Sequence, residues 1–389
     1  MSGWKKAIGG FVHRVERKVD EKREEMGLMG RGTPRIEPYR GYGTPDRAYV
    51  KGRVLRGTAP AAASERHGTL MNVAAMIQRF ESDEIPGARV RVRHPGGEVT
   101  VTADEEGYFE AWFDPRPPFA GGSLWHPVGL ELEHPAAEPP VRAEAQVLVP
   151  PVESAFGVIS DLDDTVVQTG ATSLLRMART VFLTNARTRL PFPGVAAFYR
   201  ALQHGAGESP FNPVFYVSSS PWNLHDLLTE FLQLRKIPLG PLLLRDWGIS
   251  AQETLPTGHA SHKLEAIRRI LDLFPALPFL LIGDSGQEDP EIYHRVVHDH
   301  PDRILAVYIR NVTPRPERAE AIRALAAEVE HAGSTLLLGD DTLAAAAHAA
   351  AQGWITTAAL EEVAAESRAE HRDTPAGTDA ANRALSTEG

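Results

Sequence analysis

The 389-residue sequence contains no cysteine. Disulfide staples, thiolate nucleophiles and cysteine-ligated zinc or iron–sulfur centres are therefore excluded, while the compartment stays open, because a thiol-free chain suits reducing and oxidising surroundings alike. The cytoplasm is the default expectation. A membrane-length apolar run is also missing, and the N-terminus lacks the uninterrupted apolar core of a secretory signal, so the chain is expected to be soluble or peripheral to a membrane. Net positive charge is the third absence. At a net charge of -10 the chain argues against general binding to phosphate backbones, and no nucleic-acid partner is expected. Apolar residues, by contrast, make up 42% of a length too great for one ordinary core, which points to two domains with flanking tails.

Residues 2–26 place Trp4, Ile8, Phe11, Val12, Val15 and Val19 at intervals of three and four, with Lys5, Lys6, Arg14, Arg17 and Lys18 among them. This is the pattern of an amphipathic helix whose stripe lies either on an anionic membrane or against protein. A Gly/Pro-rich linker from Gly27 to Pro45 follows. From Ala48 to Val149 short alternating apolar runs, such as Tyr49 to Leu55 and Tyr108 to Phe113, are separated by Gly, Pro and Asp turns and predict a small all-β sandwich, with a loop at Pro60 to His67. After Pro150 apolar runs alternate with helical periods. Strands are expected at Phe156–Ser160, Val214–Ser218, Pro241–Leu244, Pro278–Gly283, Ile304–Ile309 and Ser334–Leu338, with helices near 194–204, 222–234, 260–273, 288–299 and 317–331. That alternation predicts an α/β domain, a parallel sheet with helices on both faces. The expected boundaries are an N-terminal helix over 1–30, a β-sandwich over 31–150, an α/β domain over 151–360 and a disordered tail over 361–389.

Ligands of such sheets bind at the carboxyl ends of the strands, and the chemistry-bearing residues gather there. The first strand runs into Ser160-Asp161-Leu162-Asp163-Asp164-Thr165. Three crowded carboxylates are costly to desolvate without a counterion, and a hard cation such as Mg²⁺ with oxygen ligands removes the cost. Asp161 and Asp163 project to one side, so that one can attack while the other moves a proton; a solvated turn or a helix cap built from Asp164 and Thr165 fits the same letters. The second strand ends in Ser218-Ser219-Ser220-Pro221, where Ser218 is suited to a phosphoryl oxygen or to capping the helix that opens at Trp222. Lys263 heads a helix and is either a compact charge for the acidic site or a surface lysine; His259 and His262 beside it carry little weight. The fourth strand ends in Gly283-Asp284-Ser285-Gly286, and Asp284 is suited to complete a metal site begun by Asp161. Asp289 then stands behind the ligands or caps the helix starting near Pro290. Arg245, beside Asp246, clamps phosphate or forms an internal ion pair. The second Gly-Asp-Asp, at Gly339 to Asp341, reads as a cap for the alanine-rich helix after it.

These pieces, in this order, resemble the haloacid dehalogenase superfamily of aspartyl-phosphate phosphatases, and more closely the actin-patch phosphatidate phosphatase family with its bacterial relatives. The closer likeness is carried by Tyr39-Arg40-Gly41-Tyr42-Gly43, Gly52-Arg53-Val54-Leu55, the Asp161 to Thr165 motif, Ser218 to Trp222, Leu244 to Gly248 and Gly283 to Gly286. The resemblance implies a haloacid dehalogenase-like, Rossmann-like fold with Mg²⁺ as cofactor. It implies Asp161 as nucleophile and Asp163 as general acid/base, with Ser218 and Lys263 holding the phosphoryl group and Asp161, the Asp163 carbonyl and Asp284 holding the metal. Thr165, Ser219 and Arg245 are expected on the substrate, and Asp289 in support. The implied reaction is hydrolysis of a phosphomonoester, phosphatidate to diacylglycerol; a lipid enzyme needs an interfacial handle, and the amphipathic stripe of residues 1–26 is the candidate if it faces a membrane and not protein. An actin-related role is not carried over, since the long partner-binding tails of fungal members have no counterpart in these residues. Two other readings stay open: a soluble phosphometabolite as substrate, and a non-catalytic adaptor whose β-sandwich and N-terminal helix bind a membrane or partner. Too few residues separate Asp161, Ser218 and Lys263 for a large cap domain, which leaves an open site suited to bulky substrates.

Overall fold

A computed structural model of the chain describes residues 32–57, 83–162, 192–207, 211–245, 258–312 and 315–373. The expected helix over 2–26, the loop at Pro60 to His67, Asp163 with Thr165, Asp246 and residues 374–389 lie outside the described residues.

The first domain contains β1 (Pro34–Pro38), β2 (Gly41–Thr44), β3 (Arg47–Arg56), β4 (Asp83–Glu84), β5 (Arg89–His94), β6 (Gly97–Thr102), β7 (Tyr108–Phe113), β8 (Trp125–His134) and β9 (Arg142–Leu148). Alternation decides which face is inside: Val90 and Val92 of β5, and Val128, Leu130 and Leu132 of β8, are buried while their neighbours face outward. The all-β expectation holds, but the strands are not divided between two separately bonded sheets. Among the described residues they form one nine-stranded, mostly antiparallel sheet in the order β1-β3-β2-β9-β8-β5-β6, with β4 and β7 also paired to β3. The reason is the length of β3, whose ten residues serve β1 and β7 over Gly52 and Arg53, β2 at one end and β4 at the other. β6 lies against β7, so the sheet curls around a single core.

The second domain contains β10 (Gly157–Asp161), β11 (Val214–Pro221), β12 (Leu242–Arg245), β13 (Phe279–Asp284), β14 (Ile304–Arg310) and β15 (Leu336–Gly339), all parallel, in the order β12-β11-β10-β13-β14-β15. Its helices are α1 (Val195–His204), α2 (His225–Leu234, after a 3₁₀ turn at Trp222–Leu224), α3 (Gly258–Leu273), α4 (Asp289–Asp299), α5 (Pro316–His331), α6 (Thr342–Ala351) and α7 (Thr357–Asp373). Strand residues alternate between two cores. Val158, Tyr216, Leu280 and Ile282 pack with α1, α2, α6 and α7, whereas Ile159, Phe215, Phe279 and Leu281 pack with α3, α4 and α5. Helices therefore cover both faces, as the alternating sequence pattern predicts. Strand order reverses at β10, with β11 and β12 on one side and β13 to β15 on the other, and in open parallel sheets ligands bind at the carboxyl strand ends beside such a reversal.

One expectation fails here. The residues from 361 onward were expected to be disordered, yet α7 continues to Asp373 and packs through Val363 and Ser367. Glu366 and Glu370 accept hydrogen bonds of 2.8 Å from the backbone N–H groups of Ala197 and Gly194, at the start of α1. Alanine-rich sequence favours helix but carries a weak apolar stripe, so its docking is not visible as periodicity.

The two domains pack through the segment after β1. Tyr39 stacks on Trp222 with ring centroids 4.7 Å apart and lies 4.3 Å from the His225 ring. Tyr42 meets Phe215 edge-on at 5.9 Å, Arg40 donates to Thr229 Oγ1 at 3.4 Å, and Lys51 Nζ lies 5.1 Å from the Trp222 ring.

Candidate active site

Asp161 is the last residue of β10 and Asp284 the last of β13, and both side chains are 0% exposed at the reversal of strand order. The register that pairs Ser160 with Ile282 brings these two strand ends side by side. Lys263 reaches them from α3: its Nζ lies 2.9 Å from Asp161 Oδ1 and 2.6 Å from Asp289 Oδ1. Asp289 Oδ2 accepts the Asp284 backbone N–H at 3.2 Å, so both Asp289 oxygens serve neighbours within the site. Asp284 Oδ1 accepts from Gly286 N at 2.6 Å and Gln287 N at 3.2 Å, closing the turn after β13. Gly283 makes this packing possible, since a Cβ there would lie 2.6 Å from Asp289 Oδ2 and 2.8 Å from Tyr293 Cε2.

One oxygen from each of Asp161, Asp284 and Asp289 falls within 4.8 Å of the others. Three buried carboxylates gather around the Lys263 ammonium, and the Arg318 guanidinium acts electrostatically on Asp284 and Asp289 from behind. An all-oxygen donor set of three clustered carboxylates fits a hard divalent cation. Burial alone would lower the Lys263 pKa, but the adjacent Asp161 and Asp289 carboxylates outweigh it and hold the ammonium above the ordinary lysine range. Lys263 is therefore charged at neutral pH and is no surface lysine.

A second network fixes the Asp161 backbone. Ser160 Oγ donates to the Asp161 carbonyl at 2.6 Å and meets Tyr199 OH, also at 2.6 Å, and burial raises the phenol pKa so that Tyr199 keeps its proton. Ser218 is fully buried one residue beyond Val217, the register partner of Asp161, and its Oγ accepts the Ser220 N–H at 2.9 Å. It does not cap the 3₁₀ turn, whose cap position is Pro221. Ser219 follows it at the same strand end and is partly exposed. Arg245 closes β12 in register with Pro221, at the same edge of the sheet. Burial, reinforced by the Arg245 charge, lowers the nearby His262 pKa to about 4, so its ring is neutral.

The structure thus brings Asp161, Asp284, Lys263 and Asp289 into contact and sets Ser218, Ser219 and Arg245 on the same sheet edge. Asp163 and Thr165 lie outside the described residues. Capping does not account for Asp289, because the cap of α4 is Glu288 and no side chain bonds there. Asp341 does cap α6, accepting from Ala344 N at 3.1 Å. Sequence reasoning missed Tyr199, which lies in an ordinary helical period with no local sign of its partner. It also missed Arg318, whose contacts depend on the approach of α5 to α4.

Fold and site together define an α/β domain with an enclosed acidic, lysine-bridged centre at its topological switch point. Residues 156–311 match the family model described as the catalytic domain of phosphatidate phosphatase APP1. The chain is 37% identical over 156 residues to phosphatidate phosphatase APP1 of Saccharomyces cerevisiae, covering 40% of this chain and 26% of that protein. It is 30% identical over 164 residues to an uncharacterized protein of Schizosaccharomyces pombe, with 41% and 26% coverage. Residues 156–311 are accordingly similar to the APP1 catalytic domain, and the alignment spans about a quarter of the length of each relative. Among solved structures, a carbohydrate acetylesterase from Xanthomonas citri covers 77% of this chain and 75% of its own at 11% identity, with a TM-score of 0.25, too low to bear on fold or function.

Proposed function

We propose that the chain is a Mg²⁺-dependent phosphomonoesterase of the haloacid dehalogenase type that hydrolyses phosphatidate to diacylglycerol and phosphate, with Asp161 as nucleophile. The observation that carries the reading is the enclosed Asp161 carboxylate, 2.9 Å from the Lys263 ammonium and grouped with the oxygens of Asp284 and Asp289. The substrate class rests on the likeness of residues 156–311 to the APP1 catalytic domain. Asp161, Asp284 and the Asp163 carbonyl are the groups that would hold Mg²⁺, which when bound neutralises phosphate charge and polarises a phosphoryl oxygen.

Asp161 attacks phosphorus in line, the bond from phosphorus to the alcohol oxygen breaks, and an aspartyl-phosphate forms. Asp163 protonates the departing oxygen and then takes a proton from the water that cleaves the acyl phosphate, which frees phosphate and restores the Asp161 carboxylate. Lys263 and Ser218 stabilise the equatorial oxygens, with Ser219, Thr165 and Arg245 as further phosphate contacts. Asp289 keeps Lys263 aimed. Residues 1–26 provide the contact with a lipid surface, and the cytoplasm is the expected compartment. Among the described residues no helix is long and apolar enough to cross a membrane.

Asp161→Asn is expected to abolish Mg²⁺-dependent phosphate release from phosphatidate in mixed micelles while leaving the circular dichroism spectrum unchanged. Appreciable turnover by this variant would sink the nucleophile assignment. Release from sugar phosphates or glycerol phosphate with none from phosphatidate would assign a soluble ester, and inert wild-type protein would revive the adaptor reading.

A further inference from the structure

Arg318 stands in the first turn of α5, where a cation opposes the positive end of the helix. Its side chain instead turns to the loop after β13. Nε donates to the Ser285 carbonyl at 2.9 Å and Nη2 to the Gln287 carbonyl at 2.7 Å, while both terminal nitrogens grip the Glu291 carboxylate of α4. The two carbonyls flank Gly286, inside the turn whose N–H groups bind Asp284 Oδ1. A single planar guanidinium therefore ties the turn that aims Asp284 to the helix that carries Asp289. Arg318 lies outside residues 156–311, so the family match assigns it nothing.

We propose that Arg318 is a positioning residue for the carboxylate centre, fixing the turn from Asp284 to Gln287 and with it the site's affinity for a divalent cation. The inference rests on the reading of the cluster as a metal site. Groups that hold metal ligands from behind commonly change metal affinity about 10–100-fold when removed. Lysine at this position keeps the charge and the pair with Glu291, but a compact ammonium cannot reproduce a fork that spans two carbonyls and a carboxylate.

The test is calorimetric titration of the full chain with Mn²⁺. Arg318→Gln and Arg318→Lys are each expected to weaken Mn²⁺ binding about tenfold or more, and Arg318→Lys is expected to unfold near the wild-type urea midpoint. Wild-type affinity in the lysine variant would overturn the proposal, because an ion pair alone would then suffice. Wild-type protein that binds no Mn²⁺ would remove the metal-site reading, and this assignment with it.

Discussion

Lys263 is the residue on which the charge balance of the site turns. It bridges Asp161 and Asp289, and all three side chains are almost wholly buried. Breaking a buried ion pair by removing one partner typically costs about 3–5 kcal/mol, because the remaining charge is stranded. Lys263→Met is accordingly expected to lower stability by about that amount in metal-free buffer. Urea denaturation checks this, and an unchanged midpoint would mean that water reaches the carboxylates. Asp161, Lys263 and Asp284 were legible in the sequence because each stands at a strand end or near a helix start in a chain of alternating strands and helices. The partner of Asp289 was not. Its letters sit before a proline at a helix start, where a cap is the ordinary explanation, and only the approach of α3 to α4 sends one oxygen to Lys263.

The six parallel strands were readable as elements because a strand buried on both faces is a short continuous apolar run. Their order was not, since it depends on which pairs dock. At the C-terminal end, α7 shows what tertiary context adds. The first residues of α1 present N–H groups with no partner in their own helix, and Gly194, at φ 75, has no side chain to cap them. Glu366 and Glu370 supply the acceptors from a helix about 170 residues further along the chain. Replacing either glutamate with alanine is expected to cost about 1 kcal/mol, the ordinary size of a lost N-cap. Urea midpoints of the single and double variants measure it, and a double variant as stable as the wild type would show that water caps α1 equally well.

At the scale of the whole molecule, the β domain rests on the strand end that carries Ser218. The contact runs through Tyr39, Trp222 and His225, whose ring is 6% exposed and whose Nε2 has no hydrogen-bond partner among the described residues. Burial, reinforced by the charge of Arg40, pushes the His225 pKa down from 6.5 to about 3. The native state therefore holds the ring neutral while the unfolded chain takes up a proton below pH 6.5. Stability from this group is fully present above that pH and is lost as pH falls toward 3, by about 1.4 kcal/mol per pH unit. Between pH 7.5 and 5.5 the wild type is expected to lose about 1.4 kcal/mol more than His225→Phe, which keeps a ring between Tyr39 and Trp222. Matching losses in urea titrations at the two pH values would show that the ring is protonated, or hydrated, in the native interface.

Local chemistry determined a good deal without any fold. The absence of cysteine, the switch from short alternating runs to longer helical periods after Pro150, and the acidic, hydroxyl and lysine residues at strand and helix ends follow from periodicity and side-chain type alone. Only the tertiary structure decided that β3 holds the first domain in one curled sheet, that Asp289 serves Lys263 and Asp284, that Arg318 grips the turn after β13, and that α7 caps α1. The division has a physical cause. A residue's propensity and periodic face are set by its near neighbours in the chain, whereas hydrogen bonds and ion pairs across long separations exist only after packing has brought two elements together and removed water from between them.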